Sequence, residues 1–171
     1  MPSAFTHAIV GVGLAEIFHG TPRPWGVYVL SMALAAAPDL DVLAFWFGIP
    51  YGSFFGHRGF FHSLFFAGLA ALIVAVASFG LFSFSWWELA LYYFAVVASH
   101  GILDCFTNGG MGIALFSPFD TTRYFFAWTP IEVAPIGMAF FGSWGMRVIR
   151  SEIIWVWLPL GLLVGGISLL R

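Results

Sequence analysis

Long apolar runs alternate with short polar breaks along this chain, and the runs define the elements it predicts. Apolar residues dominate from about Ala4 to Phe18, Trp25 to about Phe47, His62 to Phe84, about Glu88 to Cys105, Val133 to Met146 and Ile153 to Leu170. The first run is short, and a loop over 19–24 with two prolines stops it from continuing. The second is interrupted at Ala37-Pro38-Asp39-Leu40-Asp41. Proline disfavours the α conformation in the residue before it and suits the first turn of a helix, so one helix ends near Ala37 and another starts at Pro38. The third run is the cleanest span. The fifth is short and contains Pro135, which suits a half-span or a tilted helix. Since a crossing helix needs about 20 apolar residues, the pattern predicts an all-α, polytopic membrane bundle of about five to six transmembrane or half-membrane helices. The stretch 106–130 is too polar to span. Its aromatics favour an ordered interfacial region, since so long a loop in a small protein is commonly functional.

Composition makes the membrane assignment firm. Of 171 residues, 61% are hydrophobic and only 8% charged, more apolar surface than a soluble domain of this size can hide. The length suits one domain, residues 1–171, in the cell membrane. A net charge of −2 with no lysine excludes nucleic acid as a partner. The single cysteine, Cys105, excludes an internal disulfide and a cysteine-rich metal site. The N-terminus lacks the cationic region of a cleavable signal and reads as mature protein.

The few polar residues inside this apolar background carry the chemistry. If six segments alternate across the bilayer, His7, Asp39, Asp41, His57, His62, His100, Asp104 and Asp120 all fall at one face. The other face receives Arg23, Trp86, Trp87, Trp144, Arg147 and Arg150, an aromatic belt with basic caps. His19 and Glu16 lie toward that face as bland residues, while Glu88, Glu132 and Glu152 sit at segment starts, where a carboxylate favours the helix dipole. A charge at mid-bilayer costs about 2.5–3.5 kcal/mol on insertion scales, so several acids together need compensation. A bound cation or a mutual ion-pair network supplies it.

His100 and Asp104 are four apart and share a helix face, where they can hold one metal or bridge two. Asp39 and Asp41 point to different sides of a regular helix; the Pro38 break lets both turn inward, with Asp39 favoured as ligand and Asp41 as its support. His57 and His62 flank Arg58 in Gly56-His57-Arg58-Gly59-Phe60-Phe61-His62-Ser63. Neutral imidazole is the commonest ligand for divalent transition metals. The expected metal ligands are therefore His7, Asp39, His57, His62, His100 and Asp104. Oxygen and imidazole donors without thiolate suit one or two ions of Zn, Mn, Fe or Ni, with Zn the default. Arg58 is expected to clamp an anion such as phosphate. Asp120 and Arg123 are weaker candidates for the same pocket.

Together these motifs, in the order His7, Pro-Asp-Leu-Asp at 38–41, Gly-His-Arg-Gly-x-x-His-Ser at 56–63 and His-x-x-x-Asp at 100–104, resemble the LexA-regulated, membrane-bound metal-dependent hydrolases of bacteria and archaea. The resemblance covers roughly residues 4–120. Members of that family often carry Thr just before the second His, where this chain has Phe61. The order is also similar to that of soluble zinc-dependent phospholipases C, although no His-x-x-x-Glu pair follows Asp104 here. The resemblance implies an inner-membrane hydrolase, and the analogy a phosphoester in a lipid or lipid-linked substrate. On that expectation the metal activates water, Arg58 helps stabilise developing charge, and Asp41 or Asp120 serves as general base. A divalent-metal transporter or non-catalytic metal-binding membrane protein is the alternative. It is disfavoured because transporter sites lie near the midplane between repeats, and no repeat is visible. Arg23, Arg147 and Arg150 on the plain face lean toward a site facing away from the cytoplasm.

Overall fold

A computed structural model describes residues 1–18 and 24–171, so His19 and Arg23 lie outside the described residues. Its α-helices are α1 (Ala4–Phe18), α2 (Trp25–Ala36), α3 (Leu64–Ser78), α4 (Trp86–Asp104), α5 (Ser143–Glu152) and α6 (Leu158–Leu169). A 3₁₀ segment, Ala37–Phe47, continues α2, and a π turn, Ile153–Trp157, joins α5 to α6. The described residues form no strand, only isolated bridges such as Thr107 with Ile131 and Ile113 with Tyr124.

Local chemistry explains the boundaries. Pro38 sits in the first turn of the 3₁₀ segment, which ends at Gly48 in a left-handed conformation at φ +73°. Ser63 caps α3 by accepting the Phe66 amide at 3.0 Å. Ser85 and Glu88 form a capping box at the start of α4. α3 stops at Ser78, short of the expected Phe84, because Phe79 is extended and Gly80 takes φ +86°. An apolar turn is invisible to a reading based on hydrophobicity.

Helices α1 and α2 pack as one antiparallel hairpin, α3 and α4 as another, and α2 against α4 joins them. Small residues (Ala15, Ala35, Ala71, Ala75) at these contacts let the backbones approach closely, around Leu89, Tyr92, Tyr93 and Val96. Among the described residues, two continuous helices are long and apolar enough to cross a membrane: Trp25–Phe47, with 23 residues, and Ser143–Leu169, with 27. That is fewer than the five to six expected; α1 and α3 are apolar but have only 15 residues each.

The last predicted segment, Ile153 to Leu170, is helical to Leu169, but the fifth is wrong in outline. Val133 to Met146 is not a helix. Its start is extended, Gly137 takes φ +76°, and a short 3₁₀ turn at Gly137–Phe141 leads into α5. Arg147, Arg150 and Ser151, which fall between the fifth and sixth predicted segments, belong to α5, as does Glu152. Glu152 does not start a segment: it is fully buried at the end of α5 and accepts from the amide and hydroxyl of Ser3. Trp157 Nε1 donates to Thr6 Oγ1 at 2.7 Å, and Arg171 donates to the carbonyls of Glu16 and Ile17. So α5–α6 runs parallel to α1. Arg147 and Arg150 fall at the end where α1 begins, the reverse of the expectation from simple alternation, and Arg171 falls at the other end.

Candidate metal centre

The start of α1, the end of α2 with its 3₁₀ continuation, the Gly56–Ser63 loop and the end of α4 meet at one end of the bundle. His7, Asp39, Asp41, His57, Arg58, His62, His100 and Asp104 are all buried there. Asp39, His62, His100 and Asp104 each offer a donor atom, and the four atoms lie within 4.8 Å of one another. His100 Nε2 is 3.2 Å from Asp39 Oδ1 and 3.9 Å from Asp104 Oδ2. His62 Nε2 is 3.5 Å from each of the same oxygens. Donors about 2.0–2.2 Å from a tetrahedral ion stand about 3.3–3.6 Å apart, so these spacings fit such an ion.

Tautomers support that fit. His100 Nδ1 lies 2.7 Å from the Ala35 carbonyl, which can only accept, so Nδ1 carries the proton. That leaves Nε2, the nitrogen facing the two carboxylates, as the one available to bind an ion. Both nitrogens of His62 and of His7, both oxygens of Asp39 and of Asp104, and Nε2 of His100 are buried without a hydrogen-bond partner. Each such loss costs about 1–3 kcal/mol when nothing replaces it. Charge points the same way. With the imidazoles neutral, as ligation requires, three buried carboxylates and one buried guanidinium carry two negative charges, which a divalent cation would balance.

The remaining residues surround this set. Asp41 accepts from His57 Nδ1 at 2.6 Å and from the Arg58 amide at 3.2 Å, and its Oδ2 lies 3.1 Å from His62 Nδ1. It therefore orients His57 and stands against His62, and Asp41, His57 and His62 form a second possible ligand group sharing His62. His7 stacks on His100 with centroids 3.7 Å apart, and its Nε2 is 3.4 Å from Asp104 Oδ1. Asp104 thus turns one oxygen to the four-donor set and the other to His7.

Arg58 is fully buried, with φ +64°, so it is closed to an incoming anion. Its guanidinium donates to Gly109 O at 2.6 Å and Thr107 Oγ1 at 3.1 Å, with Nε 3.8 Å from Asp104 Oδ2. This corrects the expected clamp: the guanidinium holds Asp104. Asp120 is likewise outside the cluster. Its carboxylate accepts from the Thr122 amide at 2.8 Å and from Tyr124 Oη at 2.7 Å, and these bonds hold it below the usual carboxylate range. Arg123 donates to the His57 and Tyr51 carbonyls and braces the loop. Tyr51 packs edge-on against His57 at 5.1 Å, and desolvation pushes its phenol up to about 12, so it stays neutral.

Several supporting residues gave no sequence signal. The Ala35 carbonyl fixes a tautomer through its backbone alone. Thr107, three residues past Asp104, donates to the Asp104 carbonyl at 2.7 Å while receiving Arg58. Gly110, at φ +90°, leaves room for the guanidinium: a Cβ there would stand 2.5 Å from Arg58 Nη1. Gly101 lets α4 press against the His62 carbonyl, which a Cβ would strike.

Comparison with known proteins adds membership and location. Residues 1–170 match the family model described as YdjM inner membrane protein. The chain is 37% identical over 166 residues to "Inner membrane protein YbcI" of Escherichia coli (strain K12), covering 96% of each. No solved structure matches it. Matched over nearly its whole length, the chain belongs to the YdjM inner membrane protein family.

Proposed function

We propose that this protein is a multi-pass, membrane-embedded, metal-dependent hydrolase that cleaves a phosphoester in a lipid or lipid-linked substrate. The observation that carries the reading is the convergence of four buried, otherwise unpartnered donors from Asp39, His62, His100 and Asp104, at spacings a divalent ion fills. When bound there, such an ion, Zn by preference for these donors, supplies Lewis-acid polarisation of a phosphoryl oxygen and acidifies water. The chain's own residues do the rest. Arg58, held by Gly109 and Thr107, keeps Asp104 in place. Asp41 accepts the His57 Nδ1 proton, which leaves the His57 Nε2 lone pair free to take a proton from attacking water. As that oxygen joins phosphorus, the bond to the leaving oxygen breaks, and the proton held at His57 Nε2 passes to it to give the alcohol. The apolar surroundings exclude bulk water, strengthening each electrostatic contact.

Topology belongs to the same proposal. α1–α4 and the α5–α6 rod pass alternately toward and away from the site, and together they make a bundle that crosses the membrane. Among the described residues, Arg58, Arg123, Arg147 and Arg150 lie at the site end and Arg171 at the other, so the positive-inside rule turns the site toward the cytoplasm. A C-terminal alkaline phosphatase fusion is expected to be active and a fluorescent-protein fusion dark; the opposite pattern reverses the orientation.

The decisive assay measures bound metal and turnover of phospholipid and lipid-phosphate substrates for detergent-purified protein and for His57→Ala. The hydrolase reading expects bound metal in both and turnover only in the unsubstituted chain. Stoichiometric metal with no turnover on any lipid phosphoester overturns it in favour of metal transport or storage.

A further inference from the structure

We propose that the metal centre is reached sideways from the hydrocarbon layer, through an apolar groove that seats one acyl chain of a membrane phospholipid. The inference rests on the hydrolase reading, whose substrate class it narrows, but its test reads lipid occupancy and not turnover.

The argument begins with access. Within the four-donor set, only Asp39 keeps measurable side-chain exposure, 10% against 0% for His62, His100 and Asp104. Any ligand that approaches these donors without unpacking the bundle must pass Asp39. That residue lies in the wall of a groove of about 390 Å³, between the chain's first residues, the 3₁₀ segment after α2 and the strap over 134–141. Apart from Asp39 itself, the only polar side chain in the wall is Ser3, whose hydroxyl is committed to Glu152 at 2.7 Å. The other walls are hydrocarbon or aromatic: Phe5, Leu40, Ile136 and Phe141 stand exposed along the opening.

Such an entrance has nothing with which to solvate a soluble phosphoester. It offers an alkyl chain continuous contact, and at its inner end a carboxylate of the metal set. A phospholipid with a chain in this groove therefore brings its ester linkages to Asp39. Leu40 forms a partition: its other side faces a second apolar groove of about 540 Å³, whose wall includes Asp41, Phe55 and Phe61. The two carboxylates of the 3₁₀ segment thus each close one groove, and the groove at Asp39 is the one that opens on the four-donor set.

The test uses full-length protein in phosphatidylcholine nanodiscs doped with phosphatidylglycerol that carries a diazirine at the end of one acyl chain. After irradiation, cross-links are mapped by mass spectrometry. The proposal expects labelling concentrated on residues 36–42 and 134–141, well above that on Leu162 and Leu163, exposed residues of α6. Ala36→Trp, which fills the groove, is expected to reduce labelling there to the α6 level while bound metal and α6 labelling stay unchanged. Ile136→Gln, a milder change at an exposed wall residue, is expected to lower it partially and guards against misfolding of the Trp variant. Labelling equal at groove and α6, or unaffected by both substitutions, overturns the proposal. Groove-specific labelling in a protein with no turnover keeps the groove and removes the hydrolase reading; turnover without groove labelling does the reverse.

Discussion

The two ends of this bundle bury polar groups in opposite ways. In the half away from the metal centre, polar atoms inside the helix pack find partners within the protein. Ser31 donates to the Val27 carbonyl and pairs with the Tyr92 hydroxyl, and Ser78 donates to the Val74 carbonyl and meets Tyr93 at 3.2 Å. At the other end, imidazoles and carboxylates crowd within a few ångströms, yet most of their inward atoms lack hydrogen-bond geometry to one another. Helix packing can satisfy a buried hydroxyl with a neighbour's carbonyl. It cannot satisfy several lone pairs that converge on one point. A cation at that point would satisfy them together, which is what the proposed metal reading requires of the polar end.

The largest effect should follow from Asp104→Ala. It removes a donor shared by His7, His62 and His100 and leaves the buried Arg58 guanidinium without its carboxylate. Bound metal, measured by elemental analysis, is expected to disappear, with a stability loss of about 3–5 kcal/mol in thermal or denaturant unfolding. Retention of metal would show that the centre is not organised around this residue. Next comes Asp41→Asn, which weakens the support of His57 and His62 but spares the four-donor set. A chelator competition should report metal affinity down about 10–100-fold, with the fold intact.

At the satisfied end, Ser78→Ala loses the hydrogen bond to Tyr93. The cost expected in unfolding is about 1 kcal/mol, with metal content unchanged; a change in metal would erase the distinction between the two halves. The smallest effect is at Asp120, outside the cluster. Bonds from Thr122 and Tyr124 depress its folded pKa, so the order it gives the loop is fully present above the unfolded value of about 4 and is lost as pH falls through the lower folded value. Hydrogen exchange at the Thr122 amide should show that acid transition in the unsubstituted protein and not in Asp120→Asn.

How legible each feature was depended on how local its cause was. The His100–Asp104 pair follows from helix periodicity alone, and the break that lets Asp39 and Asp41 turn inward follows from Pro38. The α1 boundaries also came directly from where the apolar run ends. What could not be read were partners set by distant chain. Glu152 resembles a helix-start carboxylate until Ser3, 149 residues away, is seen to donate to it. Arg58 resembles an anion clamp until Thr107 and Gly109 fold over it. One misplaced segment, Val133 to Met146, was enough to move Arg147 and Arg150 to the wrong end, because counting by alternation carries an error through every later element.

The most direct measurement is X-ray absorption on the protein purified in detergent from metal-replete medium. The account predicts at least one divalent ion per chain, with nitrogen and oxygen donors at about 2.0–2.2 Å and the multiple scattering of imidazole. Folded, monodisperse protein that holds no ion under those conditions, or an ion whose shell contains no imidazole, would contradict it.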